Sequence, residues 1–172
     1  ALLSDSTNAE RPGYTPSERI VGESFSKLFQ QADGHRIIVA TFSSNIHRIQ
    51  QIIDEAAHVG RRVAVSGRSM LNVVSVASEL GYLRVPEGIL IDIDMIKNYP
   101  PERLVVVTTG SQGEPLSALH RIAFSDHRQV EIIPGDMIII SANPIPGNEK
   151  LVGGVINELM KRGANVVYEK MY

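Results

Sequence analysis

The stretch RIIVATFSSNIHRIQQIIDEAAHVGRRVAVSG, residues 36–67, decides the fold. It opens on a continuous apolar run of strand length, Ile37-Ile38-Val39-Ala40-Thr41-Phe42, with no polar residue alternating through it. Such a run fits a strand covered on both faces. After Ser43-Ser44-Asn45 the period changes: Ile46, Ile49, Ile53, Ala56 and Ala57 recur at helical spacing until Gly60, and a second apolar run, Val63-Ala64-Val65-Ser66, follows. Strand, amphipathic helix, strand is the unit of a parallel sheet with helices packed over it.

Working outward, the unit repeats. A helix carrying Met70, Leu71, Val74, Ala77 and Leu80 ends at Gly81, and a short strand follows at Ile89-Leu90-Ile91, then a turn through Tyr99-Pro100-Pro101. Leu104 to Thr108 is the next strand, with Leu116, Leu119, Ile122 and Ala123 after it. Met137 to Ser141 precedes Leu151, Val152, Val155, Ile156 and Leu159, and Gly163 leads into a last strand at Val166 to Tyr168. Upstream, Thr15-Pro16-Ser17-Glu18 reads as a capping box with Thr15 as cap, opening a helix whose apolar face is Ile20, Val21, Phe25, Leu28 and Phe29 and whose stop is Gly34. The expected architecture is α/β: a three-layer, Rossmann-like, mostly parallel sheet with helices on both faces.

The chain's 172 residues and 43% hydrophobic content suit one packed domain and exclude a disordered or fibrous protein. A net charge of -2 excludes a uniformly basic nucleic-acid binder, so any RNA contact has to use a local patch. Cysteine is absent, which removes disulfides, thiolate metal sites and a cysteine nucleophile together. No apolar run reaches the roughly 18 residues that span a bilayer, and a cytoplasmic location is expected. The start at Ala1-Leu2-Leu3, read as strand-like, and the strand-like end at Val166 to Tyr172 suggest a segment of something larger.

In an open parallel sheet, ligands collect at the carboxyl ends of the strands. Those ends read Phe42-Ser43-Ser44-Asn45, Ser66-Gly67-Arg68-Ser69, Thr108 to Glu114 and Ser141 to Asn148. Hydroxyls, amides and glycine-exposed backbone suit phosphate oxygens, and Arg48 and Arg68 can add charge-assisted bonds. Each loop read alone is as well explained by helix caps and turns; four in one row favour an anion or nucleotide surface. Neither G-x-G-x-x-G nor G-x-x-x-x-G-K-[ST] opens a repeat, which disfavours a dinucleotide dehydrogenase or a P-loop NTPase. His35, His47, His58, His120 and His127 lack metal-ligand spacing, and His120 and His127 read as helix-surface and loop residues. Asp5 sits in a polar loop, available to orient a partner histidine or to cap its own turn.

Six motifs in order extend this reading: D-S-T-N at 5–8, R-P-G-Y-T-x-S-E at 11–18, A-T-F-S-S-N-I-H-R at 40–48, G-R-S-M at 67–70, T-T-G-S-Q-G-E-P at 108–115 and S-x-x-P-I-P-G-N at 141–148. Together they closely resemble bacterial ribonuclease J, of the β-CASP branch of the metallo-β-lactamase superfamily. The resemblance implies a β-CASP domain over residues 16–172, with residues 1–15 ending a strand and linker of the metallo-β-lactamase domain. It implies a lid that grips single-stranded RNA, with a 5′-monophosphate end preferred, over two zinc ions. The family's H-x-H-x-D-H and H-x-S-G-H ligand motifs do not occur in this chain, which is therefore expected to carry no metal ligand and to be inactive alone. Asp5 matches an acid that orients a histidine outside the chain. Phe42, Ser43, Ser44, Asn45 and Arg48 match the segment lining the RNA channel, and Arg68, Ser69, Ser111, Gln112 and Glu114 match neighbouring loops, Glu114 being also a candidate cap of its own helix. The resemblance also implies hydrolysis of RNA from the 5′ end and internally, in RNA decay and rRNA processing, and a homodimeric or tetrameric full-length enzyme. A free-standing Rossmann-like module binding a nucleotide or sugar phosphate is the alternative.

Overall fold

The computed structural model describes residues 1–4, 6, 9–10, 12–14, 17–32 and 34–168. In chain order the regular elements are α1 (Glu18–Gln31), β1 (Ile37–Ala40), α2 (Ile46–His58), β2 (Arg62–Ser66), α3 (Arg68–Glu79), β3 (Leu90–Ile91), β4 (Leu104–Thr108), α4 (Ala118–Ala123), β5 (Met137–Ile140), α5 (Glu149–Lys161) and β6 (Asn165–Val167). Two short 3-10 helices, Ile93–Asn98 and Pro101–Arg103, flank Tyr99-Pro100 of the expected turn, the second starting at its Pro101. The strands form one six-stranded sheet in the order β3-β2-β4-β1-β5-β6, every described pairing parallel. In register, Ile37 lies between Val105 and Met137, and Ala40 between Thr108 and Ile140.

The unbroken apolar runs are explained by the two layers that cover the sheet. Ile37, Val39, Val63, Val65, Val105, Val107 and Ile139 pack toward α1, α2 and α3, whereas Ile38, Ala40, Ala64, Val106, Ile138 and Ile140 pack toward α4 and α5. Every residue of β1 is fully buried. Each fully buried Val or Ile contributes about 1.5–3 kcal/mol of transfer free energy, so the central strands anchor both layers.

Several boundaries and faces differ from expectation. The cap of α1 is Ser17, whose Oγ accepts from Arg19 N; Thr15 and Pro16 lie outside the described residues. β1 ends at Ala40, so Thr41 and Phe42 already belong to the following loop. Ala1 to Ser4 form no strand, and Leu2 and Leu3 are exposed. Ile20, Leu71 and Leu151 are exposed because each falls off its helix's buried stripe (Phe25, Leu28 and Phe29 in α1; Met70, Val74 and Ala77 in α3; Val152, Val155, Ile156 and Leu159 in α5), and Leu80, expected on α3, is exposed at its C-cap. Leu116 lies before α4 and is exposed. The last strand is one residue earlier than expected, and residues 169–172 lie outside the described set.

This topology opens the sheet at its carboxyl edge twice. From β1 the chain leaves through α2 toward β2, while from the adjacent β5 it leaves through α5 toward β6. β2 and β4 diverge in the same way through α3 and α4. Diverging connections on opposite faces leave a crevice above each pair, the position where such sheets bind ligands.

Candidate nucleic-acid interface

The loop after β1 splits into a framing part and a free part. Thr41 N donates to Thr108 O at 3.1 Å, and Asn45 caps α2, its Oδ1 accepting from Arg48 N at 3.1 Å. Between them Phe42 is 38% exposed, Ser44 is exposed and Ser43 half-buried. Arg48, expected to reach for phosphate, instead points into the fold. Its Nη2 donates to Glu18 Oε2 at 2.9 Å, and its Nη1 to Ser141 O and Oγ at 3.0 and 2.5 Å. One guanidinium thereby ties the start of α1, the first turn of α2 and the end of β5 together. Its side chain is 11% exposed but that of Glu18 is 54% exposed, so water screens the carboxylate end of the pair.

The loops after β4 and β5 are stitched by another buried side chain. Gln112, 2% exposed, donates from Nε2 to Asn143 O at 2.9 Å, and its Oε1 accepts from Ile145 N at 2.7 Å and Asn148 Nδ2 at 3.3 Å. A side-chain amide offers two donors and one carbonyl, and here it serves as a backbone substitute between two loops. Ser111 is buried beside it. Glu114 is exposed and its Oε2 accepts from Gln112 N at 3.2 Å, bracing the turn. It does not cap a helix: α4 starts at Ala118, with Ser117 Oγ accepting from His120 N. Gly113, at φ +70, lies against the first turn of α5, where a Cβ would fall 2.5 Å from Leu151 C and 2.6 Å from Val152 N.

The loop after β2 is the most open. Gly67 takes φ +106, with Thr109 Oγ1 2.9 Å from where a Cβ would be, and the start of α3 has no side-chain cap. Arg68 and Ser69 are exposed, with no ion-pair or hydrogen-bond partner for either side chain among the described residues. Ser66, buried at the strand's end, meets His127 Nε2 at 2.8 Å. Nothing in the sequence around His127 announces that contact, because its partner is 61 residues away.

The structure thus brings Phe42, Ser43, Ser44, Arg68 and Ser69 to the carboxyl edge with exposed or half-exposed side chains, uses Asn45 and Arg48 to fix the start of α2 beside the first three, and uses Gln112 and Glu114 to brace the neighbouring loops after β4 and β5, where Ser111 is buried. Asp5 lies outside the described residues. Among the described residues no group of three or more His, Cys, Asp or Glu side chains could hold a metal ion, and no helix is long and apolar enough to cross a membrane.

Known proteins with this sequence pattern are specific. The chain is 52% identical to ribonuclease J of Mycobacterium tuberculosis over 166 residues and 50% identical to that of Mycolicibacterium smegmatis over 166 residues, 96% of the chain in each case. It is 48% identical to ribonuclease J of Thermus thermophilus over 171 residues, 99% of the chain. The chain spans about 30% of the length of each of these relatives. A solved structure of a protein of unknown function from Enterococcus faecalis superposes with a TM-score of 0.58 at 12% identity, covering 94% of this chain and 37% of that one, and so shares the fold. These relatives support the ribonuclease J resemblance over the free-standing nucleotide module. Since the family model of the ribonuclease J β-CASP domain matches residues 34–159, the chain belongs to the ribonuclease J β-CASP domain family.

Proposed function

We propose that this chain is the part of a ribonuclease J that grips single-stranded RNA, and that Phe42, Ser43, Ser44, Arg68 and Ser69 touch the strand. The observation that carries this is the carboxyl edge of a ribonuclease J domain on which those five side chains are exposed or half-exposed, with Asn45 and Arg48 fixing the start of α2 behind the first three. The Phe42 ring supplies a face for a base, a contact that tolerates any sequence. Arg68 and the hydroxyls suit phosphate oxygens and 2′-hydroxyls. A 5′-monophosphate, with more charge than an internal phosphodiester, is the preferred end.

The complete polypeptide would hydrolyse RNA in the cytoplasm, from the 5′ end and internally, as in decay and rRNA processing, and assemble as a dimer or tetramer. Asp5 would orient a histidine supplied from elsewhere in the polypeptide, the task a carboxylate performs for an imidazole. Two zinc ions would supply Lewis-acid chemistry. Among the described residues there is no donor set for them; a metallo-β-lactamase domain of the same polypeptide would hold the metal while this chain acts on the strand.

The test is steady-state cleavage of 5′-monophosphorylated and 5′-hydroxyl single-stranded RNA by the full-length polypeptide. Arg68→Ala is expected to raise KM about tenfold, the equivalent of one charge-assisted phosphate contact, and to lower the salt dependence of binding. Ser43→Ala combined with Ser44→Ala is expected to reduce the preference for the monophosphate. Unchanged KM, salt dependence and end preference in both variants would show that RNA does not use this edge.

A further inference from the structure

His127 is fastened in one protonation state. Its Nδ1 accepts from two backbone amides of its own loop, Gln129 N at 3.3 Å and Val130 N at 3.1 Å. An imidazole nitrogen that accepts carries no proton, so the ring's single proton sits on Nε2 and is donated to Ser66 Oγ, 2.8 Å away. That direction matters: Ser66 Oγ accepts a hydrogen bond from the imidazole and is not activated as a nucleophile. Ser66 is the last residue of β2, and it leads straight into Gly67, Arg68 and Ser69, where α3 begins without a side-chain cap. The segment bearing His127 is itself held from the far side, Gln129 Nε2 donating to Asp94 Oδ1 at 2.9 Å.

We propose that His127 is a positioning residue for the RNA-contacting loop Gly67–Ser69, and that it performs this only as the neutral Nε2–H tautomer. This rests on the proposed RNA contact at Arg68 and Ser69. A second proton would have to enter at Nδ1, where two N–H groups already point, so the imidazolium breaks the anchorage of the 127–130 segment and frees the end of β2.

The groups around the ring differ in charge, and burial and Arg121 are the ones that set the direction of its shift. From α4 the Arg121 guanidinium presents like charge; from β2 the facing group is the Ser66 hydroxyl, which does not titrate; from the 3-10 helix Asp94 is engaged by Gln129. Asp126 and Arg128 of the same loop are exposed. Burial first, and Arg121 second, hold the imidazole below its ordinary pKa of 6.5. A folded-state pKa below the unfolded one means stabilisation that is complete above pH 6.5 and is lost as the pH falls through the folded-state value.

The experiment measures amide hydrogen exchange at residues 66–70, each rate taken relative to the intrinsic rate of that amide at the same pH, and KM for a 5′-monophosphorylated single-stranded RNA, between about pH 5.5 and 8. It uses the full-length polypeptide, parent and variants. In the parent, protection of these amides should fall and KM rise as the pH falls below the ordinary imidazole range. His127→Gln presents a carbonyl to the two amides and an N–H to Ser66 without titrating, and should hold the neutral values of both across the range. His127→Ala should exchange rapidly, with KM about fivefold higher at every pH, the equivalent of one net hydrogen bond. A parent-like pH dependence in His127→Gln, or parent-like exchange in His127→Ala at neutral pH, overturns the proposal. If Arg68→Ala leaves KM unchanged while His127→Ala still speeds exchange, the RNA reading of this edge fails and the positioning role falls with it, although the clamp itself stands.

Discussion

Asp136→Ala is expected to destabilise the chain by about 3–5 kcal/mol, the range for leaving one half of a buried ion pair without its partner. Arg36 and Asp136 are 5% and 2% exposed, and they meet through Nε to Oδ1 at 3.2 Å and Nη2 to Oδ2 at 2.5 Å. The carboxylate also accepts from Ile133 N at 2.8 Å, and Arg36 Nη2 donates to Glu131 O. The pair sits just before β1 and β5, which pair side by side in the sheet, and Asp136 O accepts from Asn165 N at the start of β6. Its loss therefore strands a cation where three strands begin. At about 2–4 °C per kcal/mol for a domain of this size, Tm should fall by about 10 °C. Urea and thermal unfolding read this directly. Arg36→Met combined with Asp136→Leu, which removes both charges, should recover most of the loss. A fall in stability under about 1 kcal/mol for Asp136→Ala would mean that water or another donor reaches Arg36.

Gly113→Ala should have the largest effect on RNA cleavage. The position combines a left-handed backbone, φ +70, with backbone atoms of Leu151 and Val152 closer than any real Cβ tolerates. Backbone cannot rotate away as a side-chain tip can, so either the 109–117 loop lifts or the first turn of α5 shifts. Overpacking and left-handed strain together correspond to about 2–4 kcal/mol. Lifting the loop also parts Gln112 from Asn143 and Ile145 and disturbs the edge proposed to hold RNA. A displacement near 1 Å can reduce turnover about 100-fold, so kcat/KM is expected to fall on that order while Tm falls several degrees. Gly154→Ala is the control: it lies inside α5 with nothing within 4 Å of the added carbon, and a helix-interior Ala is favoured over Gly by about 1 kcal/mol. It should leave cleavage unchanged and stability equal or higher. Equal behaviour of the two alanine variants would remove Gly113's close approach as the cause.

The layered sheet was legible because its signal is local. The runs at 37–42, 63–66, 104–108 and 137–141 are long enough, and free enough of polar residues, to admit only a doubly covered strand, and the neighbouring segments change to helical period at once. The helix faces were legible less sharply: Ile20, Leu71 and Leu151 were apolar and near the right spacing, yet each turned to solvent, since one residue on a helix is 100° of rotation. Residue type marked the edge loops as suited to phosphate but could not say which side chains remain available. Arg48 and Arg68 look alike on paper, one in S-S-N-I-H-R and the other in S-G-R-S. Only the first has Glu18 and Ser141 within reach.

What the amino-acid order alone determined is the sheet, its two covering layers, and the kinship with ribonuclease J, all of which are written in neighbouring residues and short motifs. What the tertiary structure decided is the assignment of polar groups: Arg48 to Ser141, Arg36 to Asp136 and His127 to Ser66 are pairs separated by 93, 100 and 61 positions. A hydrogen bond acts over about 3 Å, and no local pattern records which distant residues the fold will bring within that distance.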